Sequence, residues 1–139
     1  MKVKSFEDLQ VWQDTREFVK SIYEITSLEN FKKDYGLKDQ IQRASVSIMN
    51  NISEGYERDN TKEFINFLKY AKGSAGEVRS MLYIALDLNY ISKEKFEKNY
   101  STSLNIITQI SNFRKYLKNY TLKENIKKIK SFISFIIKI

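Results

Sequence analysis

Apolar residues recur at steps of three and four along most of this 139-residue chain, and no proline interrupts them. That period matches the turn of an α-helix, not the two-residue repeat of a strand. Glycine appears only four times, too few for the tight turns of a sheet-rich fold. With 42% apolar and 14% aromatic residues, the chain can bury one core, and its length suits one domain.

The first stripe is Val11, Thr15, Phe18, Ile22 and Ile25, widened by Trp12 and Val19. Glu7 and Asp8 place negative charge at the positive end of that helix. SLENFKKDYG (27–36) breaks the pattern, and Gly36 suits a turn. The second stripe, Leu37, Ile41, Ala44, Ile48 and Ile52, stops around Gly55, so GYERDN (55–60) reads as a loop. Asn60 and Glu63 resemble a capping box before the third stripe: Phe64, Phe67, Leu68, Ala71, Ala75, Val78, Leu82 and Leu86. Gly73 and Gly76 fall inside that helix, where each costs about 0.5–1 kcal/mol relative to Ala. With Ser74 and Ala75 they form a low patch, GSAG, expected to admit another helix closely. Ser92 is expected to cap a fourth helix with the stripe Phe96, Tyr100, Ile106, Ile107, Ile110, Phe113 and Leu117. Thr121 and Glu124 form a second capping-box pattern. It predicts a short fifth helix with Ile126, Ile129, Ile133 and Ile136 on one face.

The expected fold is all-α: an antiparallel up-and-down four-helix bundle over 1–119 with a short extra C-terminal amphipathic helix, basic and apolar, over 120–139. That last helix must cover its apolar side with the bundle, another subunit or a membrane surface, and subunit contact is the leading expectation. No apolar run approaches the roughly 18 residues of a membrane span, and MKVKSFEDLQVW does not resemble a signal peptide. The expected location is the cytoplasm.

Cysteine and histidine are both absent, which removes thiol chemistry, the usual imidazole base and the usual soft or imidazole metal ligands. Glu54, Glu57, Asp59 and Glu63 read as surface charges, not a metal site. No cofactor, metal or catalytic residue is expected. The notable polar set is Arg43, Ser47, Asn50, Asn51 and Glu54 on helix 2, with Glu77 and Arg79 opposite on helix 3. It is expected to fix helix register through an Arg43–Glu77 pair.

Charge is unevenly placed. Residues 1–97 carry 15 basic and 16 acidic groups, whereas 98–139 carry nine basic groups and one acid, Glu124. Such a block attracts nucleic acid, an anionic membrane or an acidic protein. It also fits a compositional bias towards Lys, Ile and Asn. The candidates for phosphate contact are Arg114, Lys115, Lys118, Lys123, Lys127, Lys128 and Lys130, with Tyr116 and Tyr120 interleaved for base stacking.

Three blocks carry a resemblance: FEDLQVWQDTREFVKSIYEIT (6–26), YGLKDQIQRASVSIMNNISEGYER (35–58) and KEFINFLKYAKGSAGEVRSMLYIALDLNYI (62–91). They resemble the four-helix-bundle family of proteins encoded in intervening sequences of large-subunit ribosomal RNA genes, once labelled a small ribosomal protein. They are also similar to the accessory variability determinant of diversity-generating retroelements. The resemblance implies a homopentameric ring of bundles with a positive surface, and for retroelement members nucleic-acid binding beside a reverse transcriptase. Arg43, Asn51, Glu54, Gly55, Gly73, Ser74, Gly76 and Glu77 lie in the matching blocks and look structural. The apolar segment after about Leu117 departs from the family pattern.

The function expected is that of a non-enzymatic, oligomeric bundle binding RNA, DNA or a nucleoprotein through a basic surface. The alternative is a protein-interaction scaffold or accessory subunit without nucleic-acid binding; an enzyme with a carboxylate or lysine site ranks third.

Overall fold

A computed structural model describes residues 3–138. A 3-10 turn over Phe6–Asp8 leads into α1 (Gln10–Thr26), followed by α2 (Tyr35–Glu57), α3 (Thr61–Asp87) and α4 (Lys93–Lys138). Glu7 and Asp8 therefore precede α1 and sit in the 3-10 turn. The described residues contain no strand. Successive helices pack on one another and α4 returns to α1, which makes an up-and-down four-helix bundle.

The stripes read from the sequence face inward. Val11, Thr15, Phe18, Ile22 and Ile25 are buried, as are Ile41, Ala44, Ile48 and Ile52, and Leu68, Ala71, Ala75, Val78 and Leu82. From α4 come Phe96, Ile106 and Ile110. Buried polar groups are satisfied locally: Thr15 donates to the Val11 carbonyl, and Thr26 to that of Ile22. Asn99 donates to the Lys95 carbonyl and accepts from Ser21, so it adds a cross-helix bond to the core.

Helix ends follow side-chain caps. Asp34 accepts from the Leu37 amide, Asn60 from the Glu63 amide, and Ser92 from the Lys95 amide. Gly36 is the second residue of α2, not a turn. The chain between α1 and α2 instead folds as a 3-10 turn, Phe31–Lys33, which buries Phe31 completely. Tyr90, in the α3–α4 connection, packs its ring 5.3 Å from Phe31 and donates its hydroxyl to Asp34 at 2.9 Å. That bond, with some desolvation, raises the Tyr90 pKa above the ordinary 10.0. Asn89 ends α3 in the left-handed region, φ 59°, and the Tyr90 amide returns to the Ala85 carbonyl, as in a Schellman motif.

Two glycine expectations change. α2 runs through Gly55 to Glu57, leaving a connection of three residues. Gly55 is buried where α2 meets α3: a Cβ there would lie 2.7 Å from the Phe67 Cβ and 2.9 Å from the Phe64 Cδ1. It permits close approach of two helices and does not make a turn. Conversely, a Cβ on Gly73 or Gly76 would meet nothing within 4 Å. Only Ser74 and Ala75 of GSAG face the bundle, Ser74 through a 3.0 Å hydroxyl contact with Ser47.

The fifth helix is the main correction. α4 continues without a break for 46 residues, about 70 Å at 1.5 Å per residue. Thr121 does not cap a new helix; its hydroxyl donates back to the Leu117 carbonyl, within α4. Residues 93–138 contain neither glycine nor proline, so nothing in the chain stops the helix.

Three outcomes are expected in denaturation experiments. Gly55→Ala forces α2 and α3 apart and lowers stability by about 1–3 kcal/mol. Gly73→Ala and Gly76→Ala each raise it by about 0.5–1 kcal/mol, because the added methyl meets no neighbour. The raised Tyr90 pKa stabilises the fold below about pH 10 and the contribution fades as pH climbs through the folded-state value. The stability difference between the wild type and Tyr90→Phe therefore stays level to about pH 10 and shrinks above it, as read by unfolding across alkaline pH.

Candidate nucleic-acid interface

The seven basic candidates all lie on α4. Arg114 is half-buried, and its Nε donates to the Ile65 carbonyl of α3 at 3.3 Å, so it braces the bundle. Lys115, Lys118, Lys123, Lys127, Lys128 and Lys130 are exposed. Among the described residues the ion pairs are Arg43–Asp39, Arg58–Glu54 and Lys93–Glu97, and none uses these lysines.

The candidates do not form one patch. Lys123, Lys127 and Lys130 follow at steps of four and three and share a face. Lys118 and Lys115 lie on a different side, and Lys128 turns back towards the bundle side of the helix. From Lys115 to Lys130 the cations span about 22 Å along the axis, a length that suits several successive phosphates. Tyr116 and Tyr120, 64% and 49% exposed, stand among them. None of these side chains is arranged in a base-reading pattern, so contacts from them would be to phosphates and ring faces.

The α2–α3 polar set is partly assembled. Asn51 donates to both the carbonyl and the hydroxyl of Ser47, which meets Ser74 across the helices. The Arg43–Glu77 pair does not form. Arg43 bonds Asp39 one turn earlier on its own helix, at 2.9 Å with both side chains mostly exposed, where an ion pair adds little. Glu54 likewise pairs within α2, with Arg58. Register is therefore set by neutral hydroxyl and amide contacts, a link visible in the sequence only as Ser47 and Asn51 one turn apart.

Among the described residues no three carboxylates gather as a metal-binding group. The grooves are shallow and lie on the surface. One holds Ser21, Glu24, Lys95 and Lys98 near the α1–α4 edge; another holds Arg43, Ser47, Ser74 and Glu77 between α2 and α3. No helix among the described residues is long and apolar enough to cross a membrane.

A crystal structure of a protein of unknown function from the S23 ribosomal protein family of Bacteroides thetaiotaomicron is similar, with a TM-score of 0.71 and 28% identity, covering 76% of this chain and 95% of the other. No curated protein matches the chain. Residues 7–112 match the 23S rRNA-intervening sequence protein family. That match takes in α1, α2, α3 and the bundled part of α4, and the chain belongs to the 23S rRNA-intervening sequence protein family.

Proposed function

We propose that this chain is a non-enzymatic, oligomeric bundle protein of the cytoplasm that holds RNA or DNA, without reading its sequence, on the basic half of α4. The carrying observation is the concentration of nine basic groups against Glu124 alone in residues 98–139, on a helix whose lysines are exposed. Family membership supports an RNA-linked setting. The resemblance of 35–58 and 62–91 to retroelement accessory proteins favours nucleic acid as the ligand and five copies as the assembly. The non-enzymatic reading draws on the absence of histidine and cysteine from the sequence.

A second reading, a protein-binding scaffold, is favoured by one observation: Leu122, Ile126, Ile129, Phe132, Ile133 and Ile136 are each between 44% and 63% exposed. An acidic partner would then replace nucleic acid.

Binding of a generic RNA duplex and a single strand across a salt series separates the two. About five phosphate contacts would weaken binding by roughly 10²–10³ between 50 and 200 mM salt. Replacing Lys118, Lys123, Lys127 and Lys130 by Gln should cut low-salt affinity at least ~10-fold and flatten the salt slope by about one per lost contact. No binding at low salt overturns the nucleic-acid reading.

A further inference from the structure

The bundle-facing positions of α4 alternate steps of three and four: Phe96, Asn99, Ser103, Ile106, Ile110, Phe113 and Leu117. Continued, that register falls on Tyr120, Glu124, Lys127, Ser131, Ser134 and Lys138, almost all polar. The apolar residues take another line, Leu122, Ile126, Ile129, Ile133 and Ile136, which starts five residues after Leu117. Five residues turn an α-helix by about 140° beyond a full turn. The second stripe therefore faces away from its own bundle. The helix carrying it is unbroken to Lys138, so the stripe cannot fold back. Nothing among the described residues covers it.

We propose that this second stripe is the seam of a short parallel coiled coil joining three or more copies of this chain; the proposal rests on the oligomeric reading above. The spacing 4-3-4-3 is the seven-residue repeat of helices that wind together. It places Ile126 and Ile133 at the a positions and Leu122, Ile129 and Ile136 at d. Isoleucine at both a and d favours three or four strands over two.

Charge selects orientation. Lys123 and Lys130 occupy e positions, Asn125 and Phe132 occupy g. In parallel helices g meets e of the next repeat, so Asn125 lies beside Lys130 of another copy and Phe132 beside Ile137. No two cations meet. In antiparallel helices e meets e, which sets Lys123 against Lys130 and is repulsive. Lys127, Lys128 and Lys138 point outward in the parallel form. Upstream, the next seam positions are Asn119 and Lys115, which end the apolar stretch. About two repeats are fewer than an isolated coiled coil sustains. The seam therefore works with contacts between bundles, which raise its effective concentration.

The test uses the full chain in sedimentation equilibrium, compared with Ile129→Asp/Ile133→Asp. Both sites are exposed, so the variant should keep its helix content by circular dichroism. The expected result is a wild-type mass of at least three protomers and a variant that dissociates at least ~10-fold more readily. Orientation is read by oxidation, since the chain has no native cysteine. Ile126→Cys should form copy-to-copy disulfides, and Ser131→Cys, on the outer face, should not. Equal masses for wild type and variant overturn the seam but leave the oligomer standing. Monomers in both overturn the two together. Equal cross-linking at both cysteines overturns the parallel register. A monomer that binds phosphatidylcholine–phosphatidylglycerol vesicles, and loses that binding in the variant, assigns the stripe to a lipid surface and overturns the proposal.

Discussion

Burial of four apolar stripes against one another is what every other feature requires. Ile22, Ile41, Ile48, Ile52, Leu68, Leu82, Ile106 and Ile110 reach zero exposure, and packing of those faces, more than propensity, stabilises the bundled helices. α2 packs at Gly55 directly against Phe64 and Phe67 of α3, and that contact anchors the end of the bundle from which α4 emerges. The Phe64–Phe113 edge-to-face pair, 5.2 Å between centroids, ties α4 to α3 at the same level. The free half of α4 inherits its helical state from this anchored half, because extension of a helix costs far less than starting one.

Most of the architecture was legible in the residue spacing. Three-and-four steps located every helix, and Asn60 and Ser92 announced two helix starts by their cap chemistry. What misled was local chemistry with two meanings. Gly36 and Gly55 read as turns, but one sits in a first helical turn opened by Asp34 and the other is a packing contact. Thr121 and Glu124 have the spacing of a cap, yet a threonine inside a helix can bond the carbonyl four residues back, and this one does. Phe31 was hidden because a single buried side chain in a 3-10 turn has no period. The lysines of the candidate interface were visible by count, but their distribution around one uncovered helix was not. That depended on whether the chain bent after Leu117.

Polar groups inside the bundle and on its extension do different work. Hydroxyl and amide groups that cross the core, Ser47 with Ser74 and Ser21 with Asn99, are committed to holding helices in register. The outward lysines and tyrosines of α4 are not. The residues that match the family, 7–112, take in the bundle, and the basic, apolar extension of α4 lies beyond them.

The step of five from Leu117 to Leu122, across the interval 118–121, has an evolutionary side. It works as a phase setter between two independent registers. Losing or gaining one residue in 118–121 would swing the outer stripe by about 100° while leaving all bundle contacts intact. Insertions and deletions in this interval would therefore redirect whatever the extension touches.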